Sequence, residues 1–211
     1  MISIFSILLL GFVLGMRHAT DADHVVAVTA IVTGEPSLRR ASKVGALWGI
    51  GHSVTILVVG GAIIVFRLSI PPRIGLALEF AVALMLIVLG ALSLSDRAMT
   101  SAASAVRPVV VGLVHGLAGS AFVALLVVAA VPGAWLGLAY LALFGLGTIA
   151  GMALVTTAVA VPSALSAHRI VHAHRYLRLA SGVASVAFGL LLARHGVSQG
   201  LFAATPNWTP R

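Results

Sequence analysis

The chain has 211 residues, of which 60% are hydrophobic and only 9% charged, whereas soluble domains are about 45–50% apolar and about 25% charged. This composition excludes a soluble globule and predicts an all-α multi-pass membrane protein with the lipid bilayer as its surroundings. The net charge of +8 predicts no nucleic-acid partner, because the basic residues lie between apolar segments and there set membrane orientation. The absence of cysteine excludes thiolate metal sites.

Six apolar segments predict six transmembrane helices in a single transport domain, residues 1–211. They lie near Ser3–Thr33, Val44–Phe66, Ile74–Ser95, Pro108–Val131, Ala134–Ala160 and Tyr176–Ala193. The first is expected to be a retained helix, because it lacks the basic start and small-residue cleavage site of a signal peptide.

A polar cluster interrupts the first span, with five ionisable residues in eight positions: Arg17, His18, Asp21, Asp23 and His24. Each charge at bilayer depth costs roughly 2.5–3.5 kcal/mol on insertion scales, and such residues are usually functional. A single buried histidine would fit a polar contact that joins helices. Two imidazoles with two carboxylates instead suit a divalent transition metal. The cluster therefore predicts a metal site within the membrane.

The helical geometry of the cluster leaves two candidate aspartates. Because residues three apart differ by about 300°, His18, Asp21 and His24 share one face of a continuous helix. Asp23 points about 140° away from His18 and joins the site only if the helix is locally unwound. Arg17, four residues before Asp21, is expected to pair with it when no metal is bound. An unwound turn at residues 20–23 would let both aspartates reach the metal.

Polar residues of the later spans extend the predicted site. His52 and His115 are predicted metal ligands, with Ser53, Glu79 and Thr148 in supporting roles. Glu79, one turn inside the third span, is either an interfacial carboxylate or an ion relay. The histidine-rich connection with His168, His172 and His174 is either an ordinary basic loop or a place that receives metal.

The two halves, residues 1–97 and 107–195, share a pattern. Residues 15–19 match 112–116 at an offset of 97, residues 47–52 match 143–148 at 96, and residues 89–92 match 188–191 at 99. Each half has three predicted spans, an odd number, so the second half must cross the membrane in the opposite sense. Inverted repeats of this kind are typical of transporters whose substrate site lies near the midplane.

The basic residues predict the orientation of the chain. Eight flank the first, third and fifth connections and four lie on the other side. The positive-inside rule then places those three connections in the cytoplasm and both termini outside.

Residues 17–24, Arg-His-Ala-Thr-Asp-Ala-Asp-His, resemble the His-x4-Asp-His signature of the nickel/cobalt permeases. Residues 48–53 resemble the Gly-His-Ser motif of that family, and residues 115–120 and 144–151 resemble its short urease-accessory-type branch. The resemblance implies that His18, Asp23 and His24 are essential. Two features depart from the typical permeases. Those proteins have a span before the signature helix, whereas this sequence begins at that helix. They also have an acidic motif in a later helix, whereas the comparable residues 145–151 keep Thr148 but have no carboxylate.

These observations predict a permease that imports Ni²⁺ or Co²⁺ across the cytoplasmic (inner) membrane. The metal is the transported substrate and not a prosthetic group, and no enzymatic activity is expected. A metal exporter or sensor on the same scaffold is one alternative. An intramembrane metal-dependent hydrolase with Ser53 or Ser120 as nucleophile is another. The choice of metal, the coupling ion and assembly as a homo-oligomer are left open.

Overall fold

The fold is that of an all-helical, multi-pass membrane protein, taken from a computed structural model that describes residues 4–33, 35–68, 71–95, 106–117, 133–166 and 173–202. Within these ranges there are seven helices and no strand. The helices are α1 (Ile4–His18), α2 (Ala22–Val32), α3 (Leu38–Phe66), α4 (Pro72–Leu94), α5 (Val106–Gly116), α6 (Ala134–Ser166) and α7 (Ala173–Ser198). One π-helical segment, Ile56–Gly60, lies inside α3.

Four of these helices, α3, α4, α6 and α7, are long and apolar enough to cross a membrane. The pair α1 and α2 meets the same test as one bent span, which gives up to five spans in the described ranges. These five coincide with five of the six predicted spans. The predicted fourth span, Pro108–Val131, begins in α5, and its continuation from residue 118 lies outside the described residues.

The first span is broken in the middle of its polar cluster. After His18 the chain makes a tight turn, in which the amide of Thr20 donates to the Arg17 carbonyl (2.8 Å) and that of Asp21 to the His18 carbonyl (3.1 Å). Asp21 is extended and begins α2, which leaves α1 at an angle of 54°. The prediction of one continuous helical stripe is therefore wrong, whereas the unwound turn that would admit Asp23 is present.

The helices around this break run in two opposite directions. Gly11 lies against Tyr140 and Gly15 against Phe144, so α1 and α6 are parallel. Along α3 the contacted residues of α6 have decreasing numbers instead: Gly45 lies against Met152 and Gly49 against Ile149. These two helices are therefore antiparallel. Helix α5 is parallel to α3, with Gly51 at Val109 and Gly116 at Thr55. We name the side where α1 and α6 begin the α1 face, and the side where α3 and α5 begin the α3 face.

The closest helix contacts recur at the repeat offsets. A Cβ on Gly15 would overlap the carbonyl of Phe144, and a Cβ on Gly112 would overlap the carbonyl of Trp48. Gly112 follows Gly15 by 97 residues and Phe144 follows Trp48 by 96. The contact of α1 with α6 thus has a counterpart in the contact of α5 with α3. Small residues of this kind allow helix backbones to approach closely in membranes.

Helices α4 and α7 form an outer pair with the same regularity. A Cβ on Gly90 would meet the carbonyl of Gly182, and a Cβ on Gly189 would meet the carbonyl of Ala83. Gly189 follows Gly90 by 99 residues, and Gly182 follows Ala83 by the same number, so the two contacts are equivalent. The Ser185 hydroxyl, itself 99 residues after Leu86, donates to the Leu86 carbonyl (2.8 Å). This antiparallel pair encloses the bent first span from one side, through contacts of α2 with both α4 and α7.

We expect Gly15→Ala to destabilise the protein, because the added methyl group would push α1 away from α6. Overpacking of this type costs about 1–3 kcal/mol. The matched control is Gly75→Ala in α4, where a Cβ would meet nothing within 4 Å. That variant is expected to be neutral or more stable by up to about 1 kcal/mol. Thermal unfolding midpoints of the purified protein in detergent measure both effects, and equal midpoints would contradict the packing role of Gly15.

Candidate metal centre

Four histidines from four helices converge at the break in the first span. The ring centroids of His18 and His24 are 4.5 Å apart, those of His24 and His115 are 4.3 Å apart, and those of His18 and His52 are 5.1 Å apart. All four side chains are buried. The four histidines predicted from the sequence as metal ligands thus lie together in one cluster.

Each histidine is positioned by a different local feature. His18 is the last residue of α1 and His24 lies in the first turn of α2, so the break turns both rings to the same side. His52 lies in α3 and His115 near the end of α5, where Gly116 lets α5 approach the backbone of His52. The break and the glycines therefore bring together rings that are 6 to 97 residues apart in the sequence.

The two aspartates have different places in this cluster. Asp23 joins two rings, with Oδ1 3.0 Å from His24 Nδ1 and Oδ2 3.0 Å from His115 Nε2. Asp21 contacts one ring only, with Oδ2 2.8 Å from His18 Nδ1, and its side chain is 48% exposed. Asp23 is thus an inner carboxylate between α2 and α5, whereas Asp21 lies at the rim and orients His18.

These contacts fix which ring nitrogens carry lone pairs. An ionised carboxylate only accepts hydrogen bonds, so each of the three contacting rings donates an N–H to it. In the neutral rings the other nitrogen is then a lone-pair donor, namely His18 Nε2, His24 Nε2 and His115 Nδ1. A carboxylate that holds one nitrogen of a histidine while the other faces a metal is a recurrent arrangement in metal sites.

Two overlapping groups of ligand atoms result. One atom from each of His18, His24 and His52 lies within 4.8 Å of the others, and the same holds for Asp23, His24 and His115. His24 belongs to both groups. His24 Nε2, His52 Nδ1 and His115 Nδ1 are buried and have no hydrogen-bond partner in the described ranges. A buried polar atom without a partner costs about 1–3 kcal/mol, so the cluster gains from a ligand that accepts nitrogen lone pairs.

The predicted supporting residues lie around the cluster or away from it. The Ser53 hydroxyl donates to the Gly145 carbonyl (3.0 Å) and joins α3 to α6. Thr148 is buried and donates to the carbonyl of Phe144 (2.9 Å) in its own helix. Glu79 is half-buried on α4 and belongs to neither group of donor atoms found among the described residues.

The predicted pair of Arg17 with Asp21 is not formed among the described residues. Arg17 is exposed, and Asp21 pairs with His18 instead. The break explains the difference, because residues 17 and 21 no longer lie on successive turns of one helix. In the histidine-rich connection, His168 and His172 lie outside the described residues, and His174 falls in the first turn of α7.

Two aromatic residues that the sequence analysis did not single out border the cluster. The Trp48 ring stacks on His24 at 5.8 Å, and the Phe144 ring lies 5.4 Å from His18. Trp48 lies four residues before His52 in α3, and Phe144 lies four residues before Thr148 in α6. That spacing puts side chains on the same helix face, so it was the available signal.

Comparison with known proteins gives one extensive relative. The chain is 36% identical to the urease accessory protein UreH of Bacillus sp. (strain TB-90) over 221 aligned positions, which cover 95% of this chain and 96% of that protein. It is 24% identical to the chloroplast protein FOR GROWTH AND FERTILITY 2 of Arabidopsis thaliana, over 86% of this chain but 54% of that protein. No family model and no solved structure matches the chain.

We expect Asp23→Asn to weaken Ni²⁺ binding more than Asp21→Asn does. Asp23 holds two rings from two helices, whereas Asp21 holds one ring from the rim. Loss of a carboxylate that only orients a ligand typically costs 10–100-fold in affinity, which is the range expected for Asp21→Asn. Isothermal titration of the purified protein measures the dissociation constants.

Glu35→Gln is the matched control, because Glu35 accepts a hydrogen bond from the Ser37 amide between α2 and α3, away from the histidines. It is expected to bind Ni²⁺ as the unaltered chain does. Equal affinity of Asp23→Asn and Glu35→Gln would contradict the inner position of Asp23.

Proposed function

Since the chain belongs to the family of the urease accessory protein UreH, we propose that it is a permease that carries Ni²⁺ or Co²⁺ through the histidine–aspartate cluster into the cytoplasm. A urease accessory relative suggests a role in nickel handling. The single observation on which the proposal depends is the convergence of four buried imidazoles and one inner carboxylate where α1, α2, α3 and α5 meet.

The chemistry of the donors favours a divalent transition metal over Mg²⁺ or Ca²⁺. Imidazole nitrogen suits nickel, copper, zinc and iron, whereas all-oxygen sites suit magnesium and calcium. Affinity alone would favour Cu²⁺ at such a site, so the choice of Ni²⁺ or Co²⁺ must come from geometry and from which metal is available.

Charge balance supports a mobile dication as the cargo. An isolated double charge in an apolar interior is prohibitively costly. Asp23 and Asp21 supply two negative charges beside the rings, with Asp21 half-exposed at the rim. A hydrated cation could therefore meet Asp21 first and lose its water progressively as it passes to the inner donors.

We also propose that the two halves of the chain form an inverted repeat with the metal site between them. The opposite directions of α1 and its counterpart α5 support this arrangement, as do the glycine contacts that recur at offsets of 96 to 99 residues. In transporters built this way, alternating access comes from movement of one repeat against the other around a fixed site.

Transport suits the cluster better than hydrolysis does. A serine nucleophile needs a neighbouring base to take its proton. The Ser53 hydroxyl donates instead to a backbone carbonyl of α6, and this contact fits a role in helix packing. Ser120 lies outside the described residues.

We expect proteoliposomes that contain the protein to accumulate radioactive Ni²⁺, and His24→Ala and His52→Ala to abolish this uptake. Both rings are fully buried in the cluster, and His24 belongs to both groups of donors. The control is His195→Ala, because His195 is exposed on α7 away from the cluster. Uptake that persists in both cluster variants would refute the proposed site. Uptake by the unaltered protein that equals the uptake of empty liposomes would refute the proposed transport.

The membrane potential alone is expected to drive accumulation. A dication that crosses 100 mV, inside negative, gains about 4.6 kcal/mol. This corresponds to a gradient on the order of 10³-fold. Imposing the potential with a potassium gradient should raise the steady-state Ni²⁺ content, and reversing its sign should lower it. A steady state that is insensitive to the potential but follows an imposed pH gradient would show instead that a counter-moving proton drives transport.

A further inference from the structure

The two aromatic rings that border the cluster lie on opposite sides of it. Phe144 contacts Gly15, which is three residues before His18 on α1. Trp48 contacts Gly112, which is three residues before His115 on α5. Since α1 and α5 run in opposite directions, Phe144 lies towards the α1 face and Trp48 towards the α3 face. The histidines are therefore sandwiched between one ring and the other.

The two rings also make equivalent contacts. Phe144 lies 5.4 Å from His18, and Trp48 lies 5.6 Å from His115, the counterpart of His18 at an offset of 97. Phe144 itself follows Trp48 by 96 residues. Both side chains are at least 96% buried. Each half of the chain thus contributes one ring that covers the cluster from one face.

We propose that Phe144 and Trp48 are the two closures of the metal path, Phe144 towards the α1 face and Trp48 towards the α3 face. This inference rests on the proposed transport function and assigns to it two residues that do not bind the metal. With both rings in place the buried histidines are covered from both faces, while Asp21 stays half-exposed at the rim. Displacement of one ring at a time admits water and metal from one side, whereas displacement of both at once would open a continuous leak.

Unpaired polar atoms of the aromatic residues raise the free energy of the closed arrangement on each side. Trp48 Nε1 and the Tyr140 hydroxyl are buried and have no hydrogen-bond partner within the described ranges. Tyr140 stacks on Phe144 at 6.4 Å and lies one turn nearer the α1 face, beside Gly11. Each group gains a partner only when water reaches it from its own face. The closed arrangement thus carries a desolvation cost on both sides, and opening relieves it on one side.

A single reporter cysteine tests the two closures separately, since the natural chain has no cysteine. Ser53→Cys places a thiol next to His52, at a buried position beside Gly145. A membrane-impermeant maleimide is added to one face at a time of sealed vesicles without metal. Trp135→Cys at the start of α6 and Leu38→Cys at the start of α3 are exposed and identify the two faces.

The reporter alone is expected to react slowly from both faces. Phe144→Ala should raise its labelling rate about tenfold from the α1 face only, and Trp48→Ala by a similar factor from the α3 face only, because each variant populates an opening that is minor in the natural chain. Phe144→Leu and Trp48→Leu repeat the test with part of the apolar volume kept, in case the alanine variants do not fold.

Leu146→Ala on α6 and Ile50→Ala on α3 are the matched controls, because each lies two residues from a closure and is exposed on the outer surface of its helix. They should leave labelling unchanged. Equal acceleration from both faces, acceleration by the controls, or no change in any closure variant would overturn the assignment. Labelling accelerated from one face only, without Ni²⁺ uptake, would support the closures and refute the cargo. Ni²⁺ uptake with labelling accelerated equally from both faces would support the cargo and refute the closures.

Discussion

Inside the helix bundle of this membrane protein the buried imidazoles have little besides the carboxylates and each other to bond with, and the arrangement of its centre follows from that constraint. The hydrocarbon interior provides no water for polar groups, so each must be satisfied within the protein. Asp23 therefore spans two rings, and Asp21 holds a third. Even so, three ring nitrogens remain without partners in the described ranges. The carboxylates only accept hydrogen bonds and therefore pair with ring N–H groups, which leaves the lone pairs of His24 Nε2 and His115 Nδ1 without a donor among the described residues.

Such a cluster is possible only because the helices around it approach unusually closely. A glycine inside a helix costs about 1 kcal/mol relative to alanine, and this chain has 22 glycines. At Gly15, Gly51 and Gly112 the absent side chain lets one backbone lie against the carbonyl of the next helix. Intrinsic helix stability is given up for van der Waals contact between backbones. This proximity brings the centroids of neighbouring histidine rings from separate helices to between 4.3 and 5.9 Å of one another.

The sequence was informative about the position of five spans and about which polar residues come together, and less so about the geometry between them. Apolar runs locate helices well, because their length is set by the bilayer. The cluster of His18, His24, His52 and His115 was predicted from the penalty that each polar group would otherwise incur. A periodicity argument assumes an unbroken helix, and for that reason it favoured Asp21 over Asp23. The break depends on the turn after His18 and on contacts with α4, α6 and α7, none of which a helical wheel contains.

The two halves are similar in packing but unequal in chemistry. At the position of His52 the second half has Thr148, and among the described donor groups only His115 comes from residues 107–195, whereas His18, Asp23, His24 and His52 all come from residues 1–97. If the halves moved as rigid bodies, four of five donors would travel together and a single bond to His115 would break. The first half would then carry the metal, and the second half would be the scaffold against which it moves. The His115 imidazole would be the one donor that resists their separation.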